Sequence, residues 1–225
     1  MEKKWVQMSA EEKREARFNT WLSAPGVKFQ SPDAEATYKA AIVRFKDAVL
    51  MEKTPDRVPV LPFGTFFPGH LYGVTPYESM YDYKKLLDAN RRYLRDYKPD
   101  YYATPAFIGS GRILDILGFR QYKWPGNGIP KEAGYQYVEG EYMLADEYPL
   151  LMEDPTDFWM RNYFPRIFGS LEPLNHVAPF RYLWEVVAVS GQMVSLGAPS
   201  VQQALKAMME AGNEAMAWNE QIGAF

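Results

Sequence analysis

The apolar residues change their spacing several times along the chain, and each change marks the edge of an element. Between Pro32 and Lys53, the positions Tyr38, Ala41, Ile42, Phe45 and Val49 recur at three- and four-residue intervals. That is the period of one helical face, and it predicts an amphipathic helix. Its start is punctuated by Ser31-Pro32-Asp33, which supplies a cap, a proline at the first helical position and an acid near the positive end of the helix dipole. Asp154-Pro155-Thr156-Asp157 repeats that arrangement, while Ser9-Ala10-Glu11-Glu12 and Thr75-Pro76-Tyr77-Glu78 have the spacing of a capping box. Leu86, Leu87, Asn90, Leu94 and Tyr97 mark one face of the helical stretch from Pro76 to Tyr97. Val201, Leu205, Met208, Met209, Gly212 and Met216 mark another long helix beyond Pro199.

Shorter runs read as strand. After the turn Lys53-Thr54-Pro55-Asp56 comes Arg57-Val58-Pro59-Val60-Leu61-Pro62-Phe63, and after Lys98-Pro99-Asp100 comes Tyr101-Tyr102-Ala103-Thr104-Pro105-Ala106-Phe107. Strand, crossover helix, strand is the unit of a parallel sheet, either doubly wound or closed into a barrel. Tyr135-Gln136-Tyr137-Val138 and Tyr142-Met143-Leu144-Ala145 flank Glu139-Gly140 and predict an inserted hairpin. Val186 to Val189 fits either a strand or the core of a helix.

Composition narrows the function classes. Of 225 residues, 47% are apolar and 16% aromatic, so a large core or a broad apolar cleft is expected. The net charge of −3 supplies no field for phosphates and argues against nucleic acid as a partner. Cysteine is absent, which removes disulfides, thiolate metal sites and a cysteine nucleophile. The charged stretch Glu11-Glu12-Lys13-Arg14-Glu15 interrupts any secretory signal, and Val186 to Ala198 is shorter than a membrane span. A cytoplasmic protein with no membrane partner is the expectation.

The stretch Lys53-Thr54-Pro55-Asp56-Arg57-Val58-Pro59-Val60 after an amphipathic helix resembles the lead-in to the first strand of the uroporphyrinogen decarboxylase superfamily. Gly73-Val74-Thr75-Pro76-Tyr77-Glu78, Lys98-Pro99-Asp100 and Ile116-Leu117-Gly118 before Pro125-Gly126 follow in the family's order. Trp21-Leu22 through Pro25-Gly26-Val27-Lys28-Phe29 is similar to the preamble of larger bacterial members. The resemblance implies a partial (β/α)8 TIM-type barrel at 55–225, with the inserted hairpin, behind a helical preamble at 1–54. It implies a tetrapyrrole-related function, either decarboxylation in porphyrin synthesis or methyl transfer through a corrinoid, which sits in some systems on a separate corrinoid protein. Two strands, or three with Val186 to Val189, are too few for eight-strand closure. Self-association or a complementing chain is therefore expected, and a non-catalytic accessory role is a further alternative.

The family's decarboxylases follow the first strand with an arginine-bearing motif that holds substrate carboxylates. Here the segment is Phe63-Gly64-Thr65-Phe66-Phe67-Pro68-Gly69-His70, with no Arg or Lys between Phe63 and Tyr83. Paired guanidinium forks for a polycarboxylate are missing. The family's catalytic aspartate would fall near Phe107-Ile108-Gly109, where there is no acid. These departures favour the corrinoid methyltransferase branch, whose zinc ligands are expected only from a C-terminal half beyond this chain.

The candidate site residues follow from these segments. Phe63, Phe66, Phe67 and Tyr72 suggest an aromatic wall at the active face, the competing reading being plain packing. Thr65, Thr104 and Phe107 are candidate contacts for substrate or cofactor. His70, whose ordinary pKa suits neutral pH, is the candidate general acid, and Arg112 in Gly109-Ser110-Gly111-Arg112 is a candidate cation for an anionic group. His176 and the acidic pair Asp146 and Glu147 read more simply as surface positions.

Overall fold

The structure, a computed structural model, describes residues 3–62, 64–102 and 105–223. The chain divides into two units, one comprising Met1–Phe63 with Leu94–Ala103 and the other Gly64–Tyr93 with Thr104–Phe225.

The first unit is built on two packed helices, α1 (Ala10–Ser23) and α2 (Pro32–Leu50). Both start where their caps predict. Ser9 accepts from the Glu12 amide while the Glu12 carboxylate accepts from the Ser9 amide, and Ser31 accepts from the Ala34 amide. Phe18 and Ala41 are buried, and the Tyr38 hydroxyl donates to the Trp21 carbonyl at 2.8 Å. Ala24 and Met51 end the helices in the left-handed conformation, with their amides bonded to carbonyls of the last turn.

Among the described residues the predicted first strand is absent, and residues 57–62 run as irregular chain. Pro59 and Pro62 remove amide donors that a parallel ladder needs. One point of pairing remains among the described residues: the Val60 carbonyl accepts from the Asp100 and Tyr101 amides at 3.1 and 3.3 Å. A side chain does the rest. Asp100 accepts from the Val60 amide at 2.9 Å, from both terminal nitrogens of Arg57 at 2.6 Å each, and from Arg44. Arg44 in turn grips Asp56 with a two-pronged contact at 2.6 and 2.7 Å.

The second unit holds most of the core. Its helices include α3 (Phe67–Leu71), α4 (Pro76–Tyr81), α5 (Tyr83–Tyr97), which begins here, and α6 (Gly111–Leu117). Thr75 and Glu78 close the capping box of α4. Three short strands follow, β1 (Tyr122–Pro125), β2 (Gly128–Ile129) and β3 (Gln136–Tyr137), in the order β2-β1-β3. Tyr122 pairs with Tyr137 in the antiparallel ladder and Trp124 with Gly128 in the parallel one. The later helices are α7 (Tyr148–Glu153), α8 (Pro155–Phe158), α9 (Phe164–Ile167), α10 (Val186–Leu196) and α11 (Pro199–Gly223), with a π-helical turn at Trp159–Tyr163 between α8 and α9. One apolar cluster joins Phe66, Met80, Leu86, Ile108, Trp124 and Trp218. Another joins Leu171, Leu174, Val177, Val201 and Ala204.

This arrangement overturns the partial-barrel expectation. Among the described residues, the strands form one small mixed sheet with no repeated strand–helix–strand unit, and no part of a (β/α)8 barrel is present. The described part of the predicted second strand is irregular at Tyr101–Tyr102 and ends in a 3-10 turn, Pro105–Phe107. The predicted hairpin is replaced as well, because Gln136–Tyr137 pairs with β1 and residues 142–144 form no strand. Val186 to Val189 belongs to α10. In α11 the buried positions are Val201, Ala204, Ala211, Trp218 and Ile222, whereas Met209 and Met216 face out. Small alanines let this helix pack closely, so its buried face is displaced from the methionine stripe.

Candidate functional site

The structure scatters some of the sequence-predicted residues and gathers others. Phe63 and Thr104 lie outside the described residues. Thr65 is exposed, and His70, on the five-residue α3, faces solvent with no hydrogen-bond partner for its imidazole among the described residues. Tyr72 lies under the Arg92 guanidinium, 4.1 Å from its ring centre. Its ring face is thereby engaged within the protein.

Phe66 and the segment from Phe107 to Arg112 do meet, through a residue outside the predicted set. Phe66 is buried, and its ring lies 5.1 Å from that of Tyr135. The Tyr135 hydroxyl accepts from the Gly109 amide at 3.3 Å, and burial pushes its pKa up. Ile108 beside it is buried, while Phe107 is half exposed.

Beyond Gly109 the chain enters a polar cluster. Ser110 is buried and donates to Glu214 of α11 at 3.0 Å, so it is left to accept from the Tyr83 hydroxyl at 3.2 Å. Protons in this short relay point from Tyr83 through Ser110 to Glu214. Burial raises the Glu214 pKa above the ordinary carboxylate range. Its contact with the Arg112 guanidinium, at 3.5 Å, does not offset that cost. Arg112 also donates to the Tyr81 carbonyl at 2.8 Å and lies 5.1 Å from the Tyr83 ring centre. About half of its side chain is exposed.

Tyr81 completes the cluster. Its hydroxyl donates to Asp115 at 2.8 Å and accepts from the Trp124 indole at 3.1 Å. Burial first, and then the Asp115 bond, push its pKa up to about 12. Its ring stacks on Tyr77 at 4.5 Å and presses on Gly111, where a Cβ would stand 2.3 Å from the ring. Only glycine fits there.

Arg112 and Ser110 lie in a segment whose pattern marks it in the sequence, whereas Tyr81, Tyr83, Tyr135 and Glu214 carry no pattern that marks them as site residues. Glu214 had no local signal, since its bond to Ser110 spans 104 residues. A carboxylate near the mostly apolar face of α11 was the one available hint.

A separate cleft between α8, the 3-10 segment Gly169–His176 and α11 encloses about 110 Å3 and is lined by Met160, Leu174, Val177 and Leu205 with Asp157 and Arg161. Those two charges are bound to each other at 2.6 and 2.9 Å. Pockets for drug-sized ligands run to about 300–1,000 Å3. This one suits a small apolar group and is too small for a macrocycle. Among the described residues no three His, Asp or Glu side chains gather as a metal site.

The chain matches no protein-family model, and no curated protein or solved structure is significantly similar to it. Among the described residues, no helix is long and apolar enough to cross a membrane.

Proposed function

We propose that this chain serves corrinoid-linked methyl transfer by binding a corrinoid or a related tetrapyrrole at the surface around Phe107 and Arg112. The observation that carries the reading is the Tyr135 bridge, which ties Phe66 to Gly109. It unites the two segments on which the family resemblance placed its candidate contacts, and it does so without a barrel.

The donor set suits such a ligand. The half-exposed Phe107 supplies an apolar face, and the open edge of Arg112 supplies donors for amide or anionic groups at the macrocycle's rim. Glu214 and the Tyr81 carbonyl hold the guanidinium in one orientation, which lowers the entropy lost on binding. A bound corrinoid supplies the methyl-carrying metal chemistry, and the protein supplies binding and orientation. A single preorganised Arg112, with no Arg or Lys between Phe63 and Tyr83, suits one anionic group better than the several carboxylates of a decarboxylase substrate.

Titration with hydroxocobalamin, followed by its visible spectrum, tests the proposal. A saturable spectral change is expected, weakened about tenfold by Arg112→Ala and by Phe107→Ala with the far-ultraviolet circular dichroism unchanged. No change in the spectrum at saturating protein, or equal binding by both variants, overturns it.

A further inference from the structure

The helix α10 leaves most of its large apolar residues exposed. Val186, Val187, Met193 and Val194 point away from the protein around a central Ser190, while Ala188, Gln192, Ser195 and Leu196 take the half-buried side, Leu196 against the second core cluster. On a helical period these outward residues form one face rather than a scatter. The inward side carries a cost, because the Gln192 Oε1 atom is buried with no hydrogen-bond partner among the described residues.

Neighbouring side chains enlarge the outward face. The 3-10 turn Phe180–Tyr182 packs on α10, and Trp184, two residues before the helix, is exposed. Trp184 and the four outward residues of α10 together expose on the order of 600 Å2, at the lower end of the share one partner contributes to a stable interface. No charged residue occurs between Glu185 and Lys206. The face can therefore meet an identical face without like-charge repulsion, which twofold pairing requires. A lipid surface is a poorer fit, since membrane-surface helices carry Lys and Arg along their polar side and α10 has neither.

We infer that α10 pairs with α10 of a second copy of this chain, forming a twofold dimer with Ser190 near the axis. The small Ser190 allows close approach of the helices, with the valines and Met193 packing around it. Whether the two helices run parallel or antiparallel, a residue at the centre of a twofold contact meets its own copy.

The absence of cysteine gives a direct test on the full chain. Ser190→Cys is expected to form a disulfide-linked dimer under mild oxidant, whereas Met152→Cys, at another exposed position, on α7, is expected to stay largely monomeric. In sedimentation equilibrium the unmodified chain should dimerise reversibly. Val187→Glu and Val194→Glu should each weaken the dimer at least 100-fold, and their exposed positions allow the fold to persist. A chain monomeric at all concentrations overturns the inference, as does dimerisation indifferent to both substitutions. Sedimentation of a monomer with phosphatidylcholine vesicles assigns the face to lipid and overturns it equally.

Discussion

Arg44 and Asp100 are joined by a guanidinium–carboxylate bond in the first unit, although 56 residues separate them in the chain. Their side chains are 9% and 3% exposed, whereas Asp56, the other carboxylate on Arg44, is 65% exposed. Asp100 also collects Arg57 and the Val60 amide. The short motifs around Asp56-Arg57 and Pro99-Asp100 are thus two halves of one ionic clasp.

Removing one member of a buried pair leaves an uncompensated charge, at a cost of about 3–5 kcal/mol, while a solvent-exposed carboxylate contributes little. Asp100→Asn should therefore destabilise the first unit far more than Asp56→Asn. Hydrogen exchange across α1 and α2 under increasing urea measures the difference. Equal losses in the two variants would refute the assignment of Asp100 as the centre of the clasp.

The Glu147 carboxylate is held at about 2, chiefly by the Arg166 guanidinium that grips both of its oxygens. The ionised form is the one the fold favours. Its stabilising contribution is complete above the ordinary value of 4.5 and is lost as pH falls toward 2. Glu147→Gln should lower stability at neutral pH and flatten the decline of stability between those pH values. Thermal melts of both proteins across the acid range check this, and parallel curves would contradict it.

Burial drives Glu214 the other way, so folding disfavours its charge. The penalty is absent where the carboxyl is protonated in both folded and unfolded chains, and it grows as pH rises through 4.5 and above. Glu214→Gln, which keeps an acceptor for Ser110, should raise the melting temperature at neutral pH and have little effect at pH 3. A variant less stable at neutral pH would mean that the Arg112 contact outweighs the burial cost.

The Tyr81 ring occupies the space that a side chain at position 111 would need. Gly111→Ala should cost about 1–3 kcal/mol through overpacking. It should also disturb Trp124, whose indole donates to Tyr81, and shift the tryptophan emission. In an alkaline absorbance titration, Tyr81→Phe should remove a tyrosine that ionises near 12. Unchanged stability and emission in Gly111→Ala would refute the packing assignment.

The helix starts were legible because their signals are local. Ser9, Ser31, Thr75 and Asp154 each accept a backbone bond within three residues, as their spacing predicts. Among the described residues the first predicted strand does not form: β-rich composition favours it at 57–63, but Pro59 and Pro62 take away its donors. In the candidate site, Phe66 and Arg112 stood in segments with a recognisable pattern. Tyr135 and Glu214 acquire their roles only through contacts across 26 and 104 residues, which no local period encodes.

The interleaving of the two units has a consequence for synthesis. The first unit needs Leu94–Ala103, so its clasp cannot close when α2 leaves the ribosome. At about 5–20 residues per second, Arg44 waits roughly 3–11 s for Asp100 to be made. Asp56, only 12 residues downstream of Arg44, arrives first and can hold the guanidinium in the meantime. The more exposed of the two carboxylates on Arg44 is thus placed to escort the cation until its buried partner is translated.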